Sequence, residues 1–233
     1  MSLPGNAFLA MWHDIEPDAW TEYMEWHTRE HMPERLSIPG FLVGKRLINH
    51  TVERYRYGTI YTGRDVEVFR SPAYLERLNN PTEWSGRVQP FFRNFLRVAC
   101  DRIASAGHGD GGAMATIRLD LVDGADEKFA TGANVLCASL LNVTGAAAVS
   151  LGKARNEVSD IKTRETEMRP GMSEEGFDVV VLVEGSGAPE LEASLSEMLR
   201  VIAKSDLGLD RPRSIVYNLA YQLTANDMAE AAK

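Results

Sequence analysis

Hydrophobic residues dominate the first element that the sequence predicts, a strand over Ala7–Asp14 (AFLAMWHD). Apolar, strand-favouring residues fill this run, which indicates a buried strand. Successive side chains of a strand point to opposite faces, so Met11 and His13 share one face and Trp12 lies on the other. His13 is thereby placed on a strand next to the helix that follows.

The pattern then changes to the period of a helix. Glu16-Pro17-Asp18 is typical of a helix start, since proline is tolerated in the first turn and acidic residues favour the positive end of the helix dipole. We predict a helix from Pro17 to about His31. Pro33 lacks the N–H of an interior helical bond and predicts a break or a second short turn before Ile38.

One order of predicted elements, β-α-β-β-α-β, occurs twice with a period of about 110 residues. The loop-like run Ala106–Gly112 (AGHGDGG) separates the two copies. This is the order of a split βαβ, ferredoxin-like unit, whose four-stranded sheet carries helices on one face only. The sequence therefore predicts an α+β fold of two tandem ferredoxin-like repeats, residues 6–105 and 113–225, with antiparallel sheets packed face to face as a dimeric α/β-barrel-type fold. The predicted strands are 7–14, 41–52, 54–62, 90–103, 114–122, 147–158, 177–184 and 214–223, and the helices are 17–31, 65–79, 127–141 and 189–204, with a loop around Trp84 and a polar excursion over 162–176.

The first helix carries an unusual stripe. At about 100° per residue, Trp20, Met24, His27 and His31 fall within roughly 60° of one another, with Tyr23 beside them. A helix that only packs against a core would have leucine, isoleucine or valine on that face. We therefore expect any functional site to lie under this helix.

The chemistry-bearing residues are confined to one half of the chain. All five histidines and all four tryptophans lie within residues 1–108. Two copies of one architecture need similar cores, so this asymmetry predicts a site in the first repeat and a scaffold role for the second.

Composition and charge narrow the classes of partner. The 233 residues have a formal net charge of −8, to which residues 1–110 contribute −1 and residues 111–233 contribute −7. Neither half has a basic stripe, so we expect neither nucleic acid nor a membrane as partner. The start MSLPGNAF does not resemble a signal peptide, and Cys100 and Cys137 lie in apolar runs, as reduced core thiols of a cytoplasmic protein do. We predict a cytoplasmic protein.

Five short motifs of the first half carry a family resemblance. They are Trp26-His27, Glu30-His31, Glu34-Arg35-Leu36, Ile38-Pro39-Gly40-Phe41 and Arg46. In these motifs residues 6–105 resemble the dimeric α+β barrel superfamily, and in particular its EthD-like members. The second half is similar only in its order of elements, so the chain resembles a single-chain tandem repeat.

The resemblance implies a fold rather than one activity. The superfamily includes cofactor-independent quinone-forming monooxygenases, polyketide cyclases, lactone isomerases and haem-binding proteins similar to chlorite dismutase. The haem-binding relatives take their axial histidine from the second repeat, whereas residues 109–233 contain no histidine. The resemblance therefore implies an enzyme without haem, and we expect no cofactor.

Three interpretations of the paired histidines remain open. His27 and His31 have the i, i+4 spacing of a metal pair, and Glu34 would reach the same face if the helix continued. The metalloprotease motif is absent, because Thr28 follows His27 where a catalytic glutamate would stand, and we predict no metal site. The imidazoles are alternatively hydrogen-bonded parts of a partly polar core, or proton carriers in a pocket for an organic ligand.

The sequence thus supports two hypotheses of function. The first is a cofactor-independent enzyme of the cyclase, isomerase or monooxygenase type that acts on a small aromatic or polyketide-like molecule. The second is a non-catalytic protein of the same fold that binds a small ligand or associates with itself through its outer faces. For the first hypothesis the catalytic candidates are His27, His31 and His13, and the substrate-binding candidates are Trp20, Trp26, Tyr23, Tyr57 and Arg46.

Overall fold

The computed structural model describes residues 3–173 and 175–231. Its strands and principal helices follow the β-α-β-β-α-β order twice, and the strands pair antiparallel. This confirms the predicted α+β fold class. The strands are β1 (Ala7–Ile15), β2 (Phe41–Ile48), β3 (Tyr57–Gly63), β4 (Phe92–Gly107), β5 (Ala113–Leu121), β6 (Ala146–Ala154), β7 (Val179–Gly185) and β8 (Leu209–Thr224). The helices are α1 (Trp20–Trp26), α2 (Met32–Leu36), α3 (Pro72–Asn79), α4 (Glu83–Val88), α5 (Asp126–Leu141), α6 (Asn156–Ser159), α7 (Arg164–Glu167), α8 (Ala188–Lys204) and α9 (Ala225–Ala231).

Strand order within each repeat is that of a ferredoxin-like sheet. The first repeat has the order β4-β1-β3-β2 and the second has β8-β5-β7-β6. In the first repeat, β1 pairs with β3 so that Ala7 lies opposite Gly63 and His13 lies opposite Tyr57. The division of the sequence into repeats at residues 6–105 and 113–225 stays a prediction.

The helix that follows β1 does not break at Pro33. A 3-10 turn over Pro17–Ala19 leads into α1, and a π-helical turn over His27–His31 joins α1 to α2. The N–H of Met32 donates to the carbonyl of His27, five residues earlier. Proline clashes with the carbonyl four residues before it in an α-helix, and the wider π turn accommodates it. The chain therefore stays helical from residue 17 to residue 36.

Two further predictions of secondary structure are wrong. The run around Trp84 is helical (α4) rather than a loop, because the hydroxyl of Thr82 caps its start by accepting a hydrogen bond from the Ser85 N–H at 3.0 Å. The strand predicted to extend to Val158 ends at Ala154, and the short helix α6 follows.

The chain forms two compact units. One contains residues 101–154 and 176–219, and its core includes Phe129, Cys137 and Met198. Cys100 and Cys137 are buried and form no disulfide with each other, as predicted. Among the residues that the structure describes, no helix is both long enough and apolar enough to cross a membrane.

The other unit contains Pro4–Cys100, Arg155–Glu175 and the segment from Ala220. We call Arg155–Glu175 the cover segment. It joins β6 to β7 along the chain, yet it hydrogen-bonds to β4 of the first repeat. The N–H of Phe95 donates to Gly171 at 2.7 Å, and the N–H of Arg155 donates to Ala99 at 2.8 Å.

Candidate functional site

His13, Tyr23, His27 and His31 form a continuous array in the unit that contains residues 4–100. The Tyr23 hydroxyl lies 3.3 Å from Nε2 of His13. The Tyr23 ring stacks on His27 with centroids 5.3 Å apart, and His27 stacks on His31 at 5.7 Å. Both stacked pairs have the i, i+4 spacing that brings side chains of neighbouring helical turns together, and the π turn spans the second pair. The array joins β1 to the helix, as predicted for His13, His27 and His31.

Asp14 fixes the end of β1 beside this array. Its carboxylate accepts hydrogen bonds from the N–H groups of Tyr55 at 3.0 Å and Arg56 at 2.9 Å, and from the amide of Asn94 at 2.9 Å. The loop before β3 and the start of β4 are thereby tied to β1. His13, the preceding residue, is held in place by the same contacts.

Burial keeps all three imidazoles neutral. Loss of hydration, opposed by the carboxylate of Asp14 and assisted by the charge of Arg169, lowers the pKa of His13 to about 3. Burial, followed by nearby arginines, also holds the pKa of His27 and of His31 well below the ordinary value. At neutral pH each ring therefore carries one N–H and one acceptor lone pair.

Some buried polar atoms in and beside the array have no hydrogen-bond partner among the described residues. Within residues 3–173 and 175–231, Nδ1 of His27, Nδ1 of His31 and the hydroxyl of Tyr61 are buried without a hydrogen bond. A buried polar group without a partner costs about 1–3 kcal/mol. Such groups in one place are typical of a binding site rather than of a finished core.

Aromatic rings surround the array. The Trp26 ring lies 4.2 Å from His31, and its Nε1 donates to the hydroxyl of Ser85 on α4 at 3.1 Å. Phe92 lies 4.7 Å from His13, and Tyr57 stacks on the same imidazole at 5.6 Å. The walls of the site are therefore apolar and flat.

A cavity of about 20 Å³ lies among these side chains, which is room for about one water molecule. A second cavity of about 20 Å³ shares part of its wall and continues toward the cover segment. The two cavities share Met11, His31, Tyr61 and Arg169.

A buried ion network closes the second cavity. Glu165 on α7 pairs with Arg35 on α2, and its other carboxylate oxygen accepts from Arg169 at 3.0 Å. Arg35 also pairs with Glu34 at 2.8 Å. The Arg35 and Glu165 side chains are each 2% exposed, so the cover segment supplies the carboxylate that neutralises a buried arginine of the helix.

Arg169 connects the network to the aromatic wall. Its Nε donates to Gln89 at 2.5 Å, and its guanidinium lies 4.0 Å from the centre of the Phe95 ring. Burial lowers the pKa of Arg169 to about 10, against the attraction of Glu165, so the group stays charged at neutral pH.

Three residues predicted to bind substrate, Trp20, Tyr57 and Arg46, do not line either cavity. Trp20 is 38% exposed, because the buried face of α1 consists of Tyr23 and Trp26. Tyr57 stacks on His13 without reaching the cavity wall. Arg46 is buried and donates to the Thr28 hydroxyl at 2.8 Å.

The charged half of the site was not predicted from the sequence. Arg35 and Arg169 line the second cavity together with Glu165. The available signal was the i, i+4 spacing of Glu165 and Arg169 within the polar excursion, which is the spacing of a helical ion pair. The metal interpretation of His27 and His31 stays untested; in the part of the chain that the structure describes, no three metal-ligating side chains come together.

A matched pair of tyrosine variants tests the hydrogen bonding of the array. Tyr23→Phe is expected to lower the free energy of unfolding by about 1 kcal/mol, because His13 loses its hydroxyl partner. Tyr61→Phe removes a hydroxyl that has no hydrogen-bond partner among the described residues, and it is expected to be neutral or slightly stabilising. Urea unfolding of both variants measures the difference, and equal effects would contradict the assignment.

Comparisons with known proteins identify the fold. An anthrone oxidase-like protein superposes with a TM-score of 0.65 and 13% identity over 95% of this chain and 94% of that one. A putative monooxygenase from Fusobacterium nucleatum gives 0.59 and 13% over 94% and 95%, and a mutant chlorite dismutase from Candidatus Nitrospira defluvii gives 0.56 and 9% over 97% and 95%. The chain has the dimeric α+β barrel fold.

The same comparisons do not give a narrower identity. No family model and no curated protein matches the sequence. At identities of 13% and below, the structural likeness establishes a fold that putative monooxygenases share, and the EthD-like assignment stays a prediction.

Proposed function

We propose that this protein is a cofactor-independent enzyme of the cyclase, isomerase or monooxygenase type that acts on a small aromatic or polyketide-like molecule. The observation that carries the proposal is the pair of neutral, buried imidazoles of His27 and His31, whose Nδ1 atoms have no partner among the described residues, beside an aromatic-walled cavity. An anthrone oxidase-like protein and a putative monooxygenase have the same fold, which supports this class of enzyme.

In the proposed reaction, Nδ1 of His27 or His31 takes a proton from a substrate hydroxyl, or from a carbon next to a carbonyl. The electron pair stays on the substrate as a phenolate or enolate, and an imidazolium forms. The low pKa of each histidine disfavours this step in the empty site, but the new anion raises that pKa by direct attraction. His13 assists through the array that Tyr23 links.

The remaining steps depend on the substrate. Cyclisation and isomerisation need only that the imidazolium return the proton to another substrate atom, whereas oxygenation needs dioxygen as a co-substrate. Tyr23 and Trp26, which line the first cavity, are proposed to contact the substrate, and Tyr57 is proposed to support the imidazole of His13 on which it stacks. Trp20 and Arg46 do not line the cavities and have no role in the proposal.

An aromatic ring is larger than either cavity, so binding requires part of the wall to move. The cover segment is the proposed moving part. It is held by the Glu165 ion pairs and by a short stretch of backbone bonds to β4. Closure of such a segment excludes water from the proton transfer.

Histidine variants test the proposed function. With anthrone-type and polyketide-like substrates in aerated buffer, His27→Gln or His31→Gln is expected to reduce kcat about 100-fold or more, because the proton acceptor is lost. His108→Gln is the control, since His108 is exposed. If both variants instead lower stability by about 1–3 kcal/mol and leave turnover unchanged, the histidines are structural.

A non-catalytic role in binding a small ligand is the second candidate. The small volume of both cavities favours it, because a closed site suits retention better than turnover. Native mass spectrometry with elemental analysis separates the candidates. A retained organic mass that no assay converts supports binding alone, whereas stoichiometric transition metal would make His27 and His31 ligands.

A further inference from the structure

Positive charge exceeds negative charge around the second cavity. Arg35, Arg97 and Arg169 line it, together with the carboxylate of Glu165. Glu34 does not line the cavity but pairs with Arg35. Arg97 donates to the carbonyl of Ser159 at 3.0 Å, and within the described residues it has no carboxylate partner. Three guanidinium groups against two carboxylates leave an excess of one positive charge.

The second cavity also contains buried hydrogen-bonding groups without a partner among the described residues. The Tyr61 hydroxyl is 1% exposed as a residue, lines both cavities and has no hydrogen-bond partner among the described residues. Burial holds its pKa well above the ordinary value, so it stays an O–H donor. His31 lines the same two cavities and is likewise unpartnered at Nδ1.

The volume limits what the donors can hold. With the cover segment closed, about 20 Å³ accommodates one oxygen atom. An oxygen at this point is within the field of Arg35, Arg97 and Arg169 and next to the Tyr61 hydroxyl, while the ring attached to it extends into the aromatic first cavity.

We propose that the second cavity is an anion subsite that takes the charged oxygen of a phenolate or enolate. The proposal rests on the proposed function and narrows its substrate class to aromatic compounds with an acidic hydroxyl. The excess positive charge stabilises the anion that proton transfer to histidine creates. In the free protein burial opposes protonation of His31, and the charges of Arg35 and Arg169 add to that effect on its pKa.

A coloured phenol tests the subsite without any turnover. 4-Nitrophenol reports its own ionisation by absorbance, and 4-nitroanisole is its neutral counterpart that cannot ionise. Both are titrated against the whole protein, with binding followed by tryptophan fluorescence. Bound 4-nitrophenol is expected to ionise at a pH at least about one unit lower than the free compound in the same buffer, a tenfold shift in its ionisation ratio.

Two variants locate the effect. Tyr61→Phe removes the hydroxyl donor, and Arg97→Gln removes the unbalanced positive charge. Each variant is expected to reduce the tenfold shift in the ionisation ratio by a factor of about three or more. Arg29→Gln is the control for removal of a positive charge, since Arg29 lines neither cavity, is 69% exposed and pairs with Glu25. Equal shifts in all three variants would overturn the location.

The outcomes separate this proposal from the proposed function. If both probes bind and the bound phenol ionises no more readily than the free one, the anion subsite is wrong and the aromatic pocket stands. If neither probe binds, both proposals fail.

Discussion

Acidification from pH 6.5 to pH 5 is expected to lower the free energy of unfolding with a slope that approaches about 4 kcal/mol per pH unit. The cause is the burial of His13, His27 and His31 in neutral form. In the unfolded chain each histidine binds a proton near the ordinary value of 6.5, whereas in the folded protein His13 does so only at about 3. The unfolded state therefore binds more protons, and stability rises with pH throughout this window.

The size of this slope sets the pH at which the protein unfolds. Domains are stable by about 5–15 kcal/mol, so three buried histidines exhaust that stability between about pH 5 and pH 3. Urea unfolding at pH 7, 6, 5.5 and 5 measures the slope. His31→Gln is expected to flatten it by about one third. A slope below about 1 kcal/mol per unit in the unmodified protein would contradict neutral burial.

Replacing Glu165 with glutamine is expected to lower the free energy of unfolding by about 3–5 kcal/mol. The substitution keeps the shape of the side chain but leaves Arg169 without its carboxylate and Arg35 with only Glu34. A buried charge without a counter-ion is costly because it has lost its hydration.

Glu167→Gln is the control for that variant. Glu167 lies on the same short helix but is exposed, so its replacement is expected to change stability by less than about 0.5 kcal/mol. Urea unfolding compares the two, with hydrogen exchange of the cover segment as a local readout. If Glu165→Gln increases exchange in the cover segment without moving the urea midpoint, the segment opens by itself and the prediction for global stability is wrong.

Most of the fold could be predicted because its signals are local. Strand alternation, apolar helix stripes and the repeated order of elements depend on residues that are near one another in sequence. The ends of elements were less predictable. The short helix α4 contains Gly86 and has little apolar period, so only the cap by Thr82 distinguishes it from a loop.

The neutral half of the site was predictable for the same reason. His27 and His31 share a helix, and His13 lies on the strand that the ferredoxin-like order places beside it. The π turn over His27–His31 was not predictable from a period of 3.6. The charged half depends on a contact between Arg35 and Glu165, which are 130 residues apart, and no local pattern encodes such a pairing.

That separation has a consequence for synthesis of the protein. A ribosome adds about 5–20 residues per second, so the cover segment emerges roughly 7–26 s after Arg35 does. During that interval the nascent chain contains an arginine destined for burial, with no carboxylate from Glu165 to neutralise it. The contacts between Arg35 and the cover segment therefore form only after translation has passed the middle of the second repeat.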